Sequence, residues 1–228
     1  MLKSTLETNI TEIEQTIRTA CDQSQRSRAD VQLICVSKSV DVETTQQVVD
    51  LGVLHLAENR MEPFLQKKEL LRHEPNITWH YIGHLQRRKV KSVINEIDYF
   101  HALDTLPLAE EIHKRATKKI NCFVQVNVSG EASKQGVSPE QLEPFILQLA
   151  PLTNIRIVGL MTMAPYDAHE TELKSYFCHL KKLQREIASQ DYSYAPCTEL
   201  SMGMSGDYQL AIECGATFVR VGSRFFNQ

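Results

Sequence analysis

The feature that most limits how this chain can fold is a regular alternation of short apolar runs with segments of helical periodicity. Eight runs rich in β-branched and other apolar residues predict strands over residues 31–36, 53–57, 77–82, 99–103, 122–128, 155–161, 198–202 and 216–221. A helical pattern lies between each consecutive pair. Eight such units in a row favour a closed (β/α)8 barrel, the TIM barrel, over an open doubly wound sheet.

The chain is expected to form one barrel domain over residues 1–228. It has 228 residues, of which 42% are hydrophobic, and no linker or low-complexity tract interrupts it. An extra amphipathic helix is predicted before the first strand, because apolar residues recur there at helical spacing: Leu2, Leu6, Ile10, Ile13 and Ile17.

Charge and cysteine content narrow the possible functions. The formal net charge is −3, and the basic run at residues 87–89 is more simply a solvated helix surface, so no nucleic-acid partner is expected. Six scattered cysteines without a C-x-x-C pair indicate buried or free thiols in a reducing compartment. Charged residues near the N-terminus argue against a signal peptide or membrane span there. The expected location is the cytoplasm.

Lys38 is the residue whose position points most directly to chemistry. In a barrel the carboxyl ends of all strands meet at one mouth, here formed by Lys38, Asn59, Gly83, Asp104 and Gly222 among others. A partly desolvated lysine there would favour the neutral amine that attacks an aldehyde and forms a Schiff base. The alternative is an ordinary solvated lysine.

Two turns near the C-terminus are candidate phosphate-holding segments. Ser205, with Asp207 two residues later, is predicted to cap the helix that follows. Gly222 and Ser223 follow the eighth strand, where a residue without a side chain lets backbone N–H groups approach an anion. These turns favour the reactive interpretation of Lys38, because they could hold a phosphorylated aldehyde beside it.

Arg220 is predicted to point into the barrel near the phosphate site, because strand alternation places it on the same face as Phe218 and Gly222. An arginine there can donate a hydrogen bond to a pyridine nitrogen but cannot protonate it readily, so the ring would be a weak electron sink. The alternative is a core arginine paired with Glu199.

His80 and His84 are four residues apart, but a change from strand to helix separates them, so they are not expected to form a zinc pair. The simpler interpretation of His80 is a hydrogen-bonded core histidine. No metal site is predicted.

Seven motifs occur in order along nearly the whole chain: Val36-Ser-Lys38, Ala57-Glu-Asn-Arg60, Trp79-His-Tyr-Ile-Gly-His-Leu-Gln86, Asn127-Val-Ser-Gly-Glu-Ala-Ser-Lys-Gln-Gly136, Gly159-Leu-Met-Thr-Met163, Leu200-Ser-Met-Gly-Met-Ser205 and Val219-Arg-Val-Gly-Ser223. Together they resemble the pyridoxal 5′-phosphate (PLP) homeostasis protein family. That family is similar to the N-terminal barrel domain of alanine racemase standing alone.

The resemblance implies that PLP is the cofactor and that Lys38 forms a Schiff base with it. It also implies that three residues hold the phosphate, namely Ser201, Gly222 and Ser223. The resemblance further implies that Arg220 faces the pyridine nitrogen.

Three further positions follow from the resemblance. Asn59 and His80 are expected near the cofactor ring, and Lys134 matches the lysine of the family's Ser-Lys-x-Gly loop. This polar loop could cover the mouth.

The chain departs from the family pattern at two places. Arg88 stands where the family usually has asparagine, and the chain ends Phe225-Phe226-Asn227 where Ile-Phe-Gly is usual. The first departure affects a surface or cofactor-loop contact. The second alters only the turn after the phosphate site, so PLP binding is still expected.

Three functions fit these features. The first is a carrier that holds PLP, maintains vitamin B6 and amino-acid homeostasis, and transiently contacts PLP-dependent apoenzymes. The second is an amino-acid racemase, and the third is a Schiff-base aldolase. In alanine racemase a second base comes from a C-terminal domain of a partner subunit. Because this chain stops just after the eighth strand, the carrier is favoured and a monomer is expected.

Overall fold

The structure, a computed structural model, describes residues 3–131, 134–165 and 167–227. Eight parallel strands close into a barrel in chain order, with the last paired to the first. This confirms the predicted (β/α)8 fold, and each predicted strand overlaps an observed one. The strands are β1 (Gln32–Val36), β2 (His55–Glu58), β3 (Thr78–Tyr81), β4 (Tyr99–Leu103), β5 (Ile120–Gln125), β6 (Ile155–Met161), β7 (Glu199–Ser201) and β8 (Phe218–Val221).

Helices cover the outside of the barrel, which explains why the strands are apolar on both faces. The connecting helices are α2 (Val42–Asp50), α3 (Met61–Leu70), α4 (Val90–Val93), α5 (Leu106–Arg115), α6 (Leu142–Gln148), α7 (Glu170–Ala188) and α8 (Tyr208–Glu213). The helical pattern that separates the third and fourth predicted strands, over residues 84–95, forms only the single turn α4 between two 3-10 turns. Three consecutive cations, at residues 87–89, disfavour an α-helical N-terminus there because they oppose the helix dipole.

The predicted N-terminal helix, α1 (Lys3–Gln23), is present and packs outside the barrel against the C-terminal elements. A short helix that the sequence did not predict, α9 (Ser223–Phe226), follows β8. Asn9 Nδ2 donates to the carbonyls of Phe225 at 2.9 Å and Asn227 at 3.0 Å. Phe225 is fully buried. The segment Phe225-Phe226-Asn227, which departs from the family pattern, thus packs against α1.

All six cysteines are free thiols, and five of them are buried. The exposed one, Cys178 of α7, lies with its sulfur 2.7 Å from that of Cys214, just after α8. In the described part of the chain, no helix combines the length and the apolar character needed to cross a membrane.

Gly159 provides a test of the barrel packing. It pairs with Glu199 across β6 and β7, and a Cβ placed on it would lie 2.0 Å from the Glu199 carbonyl oxygen. Because both groups belong to paired backbones, neither can move away alone. We expect Gly159→Ala to lower the free energy of unfolding by about 3 kcal/mol in urea denaturation.

Gly206→Ala is the matched control, because a Cβ there meets nothing within 4 Å. Its free energy of unfolding should change by no more than about 0.5 kcal/mol. Equal stabilities for the two variants would contradict the close approach of β6 and β7.

Candidate functional site

Lys38 lies at the mouth, between two strand ends that closure of the barrel brings together. β1 pairs with β2 on one side and with β8 on the other. Lys38 therefore follows β1 between Asn59, which follows β2, and Gly222, which follows β8. Its side chain is exposed, not partly desolvated as the sequence predicted, because it lies beyond the last paired residue of β1. The amine is directly accessible from solution.

A buried ion pair fixes the backbone just before Lys38. Lys67 Nζ of α3 lies 2.6 Å from Glu58 Oε1, and these two side chains are 5% and 0% exposed. Lys67 also donates to the carbonyl of Ser37 at 2.6 Å, while the Ser37 hydroxyl donates to the same Glu58 oxygen at 2.8 Å. The end of β1 is thus tied to β2 and α3 by charge-assisted hydrogen bonds.

Sequence reasoning did not identify this cluster as part of the site. The available signal was a carboxylate, Glu58, directly after the apolar run of the second strand. A charge at such a position is rarely buried without a partner. The partner, Lys67, could not be found from periodicity because it looks like any polar helix residue.

Asn59 is half-buried, and its backbone lies close to that of Gly83, which follows β3. A Cβ on Gly83 would lie 2.2 Å from the carbonyl oxygen of Asn59. Only glycine therefore allows these two strand ends to approach so closely. The position of Asn59 at the mouth is as predicted, whereas its contact with a ring stays a prediction.

The two candidate phosphate-holding turns meet. The backbone N–H of Gly222 donates to Ser205 Oγ at 3.0 Å, and the Arg224 guanidinium donates to the Ser205 carbonyl at 2.9 Å. Ser205 is not the helix cap that the sequence predicted, because α8 starts three residues later and follows Asp207. The Asp207 carboxylate instead accepts from the backbone N–H of Met204.

Gly222 and Ser223 occupy the end of β8 as expected, at the start of α9. A Cβ on Gly222 would meet the Cβ of Val36 at 3.3 Å, so a larger residue would press on β1 next to Lys38. Ser223 is exposed at the same turn. Backbone N–H groups with little side-chain cover suit an anion.

Arg220 points into the barrel, as alternation predicted, but its partners are not those expected. It donates to Ser201 Oγ and, at 3.0 Å, to the carbonyl of Thr162. The predicted alternative partner, Glu199, instead accepts a hydrogen bond from Thr198. Arg220 is only 4% exposed, and burial lowers its pKa to about 10, an effect that nearby Asp207 opposes. The guanidinium is therefore charged at neutral pH.

His80 is a buried, hydrogen-bonded core residue, as the simpler interpretation of the sequence had it, whereas its expected place near the cofactor ring stays a prediction. It belongs to a row of imidazoles inside the barrel. His80 Nε2 lies 2.9 Å from His55 Nδ1, and His80 Nδ1 lies 2.9 Å from His101 Nε2. His101 Nδ1 in turn lies 2.8 Å from Ser201 Oγ. Sequence reasoning missed His101, although its place inside a predicted strand was visible.

Aromatic rings surround this row. The Tyr99 ring stacks on His80 with centroids 4.8 Å apart, and Phe123 stacks on His101 at 4.4 Å. Burial lowers the pKa of both His80 and His101 well below 6.5, so both imidazoles are neutral.

Asp104 adds an unsatisfied acceptor at the mouth, where it follows β4. Its Oδ1 atom is buried without a hydrogen-bond partner among the described residues. Burial raises its pKa, and His84 opposes that effect. A buried acceptor without a donor costs free energy, so a ligand donor at the mouth would be favoured beside it.

Lys134 lies in the loop over residues 129–136, of which 132 and 133 are outside the described part of the chain. Asn127 Nδ2 donates to the carbonyls of Glu131 at 2.9 Å and Lys134 at 3.4 Å, which ties the loop back to the end of β5. Arg88, the first departure from the family pattern, is exposed and donates to Gln86 at 3.0 Å.

Comparison with known proteins agrees with this architecture. The family described as "Alanine racemase, N-terminal domain" matches residues 7–227. A protein of Aquifex aeolicus named "Pyridoxal phosphate homeostasis protein" is 38% identical over 215 residues, which cover 93% of each chain.

Two solved structures extend the comparison. PipY of Synechococcus elongatus, solved with PLP bound, is 32% identical with a TM-score of 0.82, over 93% of this chain and 99% of that one. An alanine racemase from Corynebacterium glutamicum has a TM-score of 0.73, over 99% of this chain and 61% of that one. Its identity is 12%, so this second likeness shows the fold alone.

The Glu58 and Lys67 pair yields a stability prediction. Lys67→Met would leave a buried carboxylate unpaired, and we expect the free energy of unfolding to fall by about 3–5 kcal/mol. The double variant Glu58→Gln/Lys67→Met removes both charges and should recover at least half of that loss. If the double variant is less stable than Lys67→Met, the ion pair does not hold the end of β1 as described.

The neutral imidazoles predict how stability depends on pH. The unfolded chain protonates each histidine near pH 6.5, whereas the native state keeps His80 and His101 uncharged. The unfolded state therefore binds more protons as the pH falls, and stability is lost by up to about 1.4 kcal/mol per pH unit for each histidine.

We expect the free energy of unfolding to decrease from about pH 7 to pH 5, and the slope to be shallower by up to about 1.4 kcal/mol per pH unit in His80→Gln. Denaturant titrations at several pH values measure both slopes. An unchanged slope in the variant would mean that His80 is protonated in the native state.

Proposed function

Since the chain belongs to the alanine racemase N-terminal domain family and, within it, to the pyridoxal phosphate homeostasis proteins, we propose that it binds PLP at the mouth. In this proposal it carries the cofactor on Lys38 and serves vitamin B6 and amino-acid homeostasis without catalytic turnover. The observation that carries the proposal is an exposed lysine placed beside a candidate phosphate-holding turn on the neighbouring strand, which also bears a buried guanidinium.

PLP supplies an aldehyde carbon that a lysine amine can attack, together with a pyridine ring and a phosphate. The residues of the mouth fit these three parts. Lys38 presents the amine, the turn at Gly222 and Ser223 presents the exposed Ser223 to the phosphate beside the Gly222 N–H that Ser205 Oγ now occupies, and Arg220 lies on the inner side for the ring nitrogen. Asn59 borders the same space from β2.

We assign Ser205 rather than Ser201 to the phosphate. Ser201 is fully buried, and its oxygen is already engaged by Arg220 and His101. Ser205 Oγ accepts from the N–H of Gly222 and so lies at the anion-binding turn. The role of Ser201 is then to accept a hydrogen bond from the Arg220 guanidinium inside the barrel.

Arg220 favours a carrier over a racemase. A guanidinium donates hydrogen bonds but does not give up its proton near neutral pH, so the ring nitrogen opposite it stays unprotonated. An unprotonated pyridine withdraws electrons weakly, which disfavours removal of a proton from a bound amino acid. The names of two similar proteins agree with a carrier. The Aquifex aeolicus relative is named a pyridoxal phosphate homeostasis protein, and PipY was solved with PLP bound.

We also propose that the protein is a cytoplasmic monomer that meets PLP-dependent apoenzymes transiently. Six free thiols fit a reducing compartment. In the described part of the chain the exposed large apolar side chains are scattered over separate elements: Leu70, Leu147 and Met163. Single exposed residues of this kind do not form the apolar patch that a stable dimer buries.

The direct test is to titrate PLP into the purified protein, follow visible absorbance, reduce with borohydride and locate the labelled lysine by mass spectrometry. We expect one PLP per chain on Lys38 and loss of the label in Lys38→Ala. Lys91→Ala is the matched control, because Lys91 is an exposed lysine on the helix α4 outside the barrel, and its labelling should match the wild type.

Labelling spread over surface lysines, or equal labelling of the Lys38→Ala variant, would refute PLP binding on Lys38. Cleavage or condensation of a phosphorylated aldehyde without added PLP would instead favour the Schiff-base aldolase. Amino-acid racemization by the loaded protein, at a rate well above that of free PLP, would favour the racemase.

A further inference from the structure

A continuous polar chain crosses the inside of the barrel below the mouth. It starts at His55 on β2, continues through His80 on β3 and His101 on β4, and reaches Ser201 on β7 and Arg220 on β8. The successive contacts between imidazoles and serine are 2.9, 2.9 and 2.8 Å. We call the three histidines the imidazole relay.

The chemistry at one end of this chain fixes the direction of its hydrogen bonds. Arg220 has only donors, so it must donate to Ser201 Oγ, and the serine hydrogen is then available to His101 Nδ1. A neutral imidazole that accepts at Nδ1 carries its hydrogen on Nε2. His101 therefore donates to His80, and His80 donates to His55.

The opposite direction is electrostatically unfavourable. It would place the Nδ1–H groups of His101 and His80 with their positive ends toward the guanidinium. In the favoured direction each acceptor lone pair faces the cation, and successive hydrogen bonds polarise one another in a medium of low dielectric constant. Both imidazoles are neutral because they are fully buried.

This orientation matters because Arg220 lacks a carboxylate partner. Among the described residues, no carboxylate lies within salt-bridge distance of it. The Arg220 side chain donates to two acceptors, Ser201 Oγ and the main-chain carbonyl of Thr162. Asp207 acts only from a distance, through its charge. Oriented dipoles must therefore stabilise and aim the buried cation.

We propose that His80 and His101 are positioning residues for Arg220, acting through Ser201 as a relay with one fixed hydrogen-bond direction. The relay keeps the Ser201 oxygen turned toward the guanidinium. The remaining N–H groups of Arg220 are thereby held toward the mouth. The consequence for the cofactor rests on the proposed function, because there Arg220 faces the PLP ring nitrogen. Neither histidine touches the cofactor in this account.

The relay can be tested without cofactor by nitrogen-15 NMR of histidine-labelled protein. We expect His80 and His101 to show neutral imidazoles with hydrogen on Nε2 and an unprotonated Nδ1. Hydrogen on Nδ1 of either ring, or a charged ring, would overturn the fixed direction. This readout does not depend on whether the protein binds PLP.

Two substitutions test the positioning role in the presence of PLP. His101→Leu removes the acceptor, and we expect PLP affinity to fall about tenfold or more, with a changed absorbance of the bound cofactor. His101→Asn places an amide oxygen near the former Nδ1 position, and its affinity should recover to within about threefold of the wild type.

Phe100→Leu is the matched control for general damage to the core. Phe100 precedes His101 in β4, is fully buried, and faces the helices because strand residues alternate. It should lose stability but keep the affinity and absorbance of the wild type. If His101→Leu also keeps them, or if His101→Asn shows no recovery, the positioning role is wrong. Failure of the wild type to bind PLP would refute the proposed function instead and leave the NMR result standing.

Discussion

A buried guanidinium with no carboxylate partner among the described residues is the constraint on which the inside of this barrel depends. Taking such a charge out of water is costly unless its donors are satisfied. Arg220 meets this requirement with a serine oxygen and a main-chain carbonyl, and the imidazoles beyond Ser201 extend the polarised chain. A carboxylate would neutralise the charge more simply. Without such a carboxylate, the positive charge of Arg220 is not neutralised. A ring nitrogen at the mouth would then accept a hydrogen bond from the charged guanidinium.

Closure of the barrel then brings a second set of buried charges next to the first. Because β8 pairs with β1, the strand that carries Arg220 lies beside the strand that delivers Lys38. On the other side of β1, Glu58 and Lys67 fix the backbone one residue before Lys38. The Lys38 side chain is thus exposed, while the backbone just before it is held by hydrogen bonds. This combination suits a residue that must both capture an aldehyde and release it.

The sequence predicted the fold and most positions at the mouth, because these depend on local properties. Apolar runs of strand length identify the eight strands, and the residue after each run must lie at the mouth, as Lys38 and Gly222 do. Partners across the barrel could not be predicted. Strand alternation shows that Arg220 faces inward, but not that it meets Ser201 rather than Glu199. That choice depends on how far each strand is shifted against its neighbours, which no local pattern encodes.

In the proposed function, Arg220 keeps the ring of bound PLP unprotonated, which favours carriage of the cofactor over catalysis with it. Nitrogen-15 NMR of the protein loaded with PLP labelled at the ring nitrogen tests this most directly. We expect a ring nitrogen that is unprotonated and accepts a hydrogen bond, with a signal that moves in Arg220→Gln. A protonated pyridinium nitrogen in the wild-type protein would contradict it.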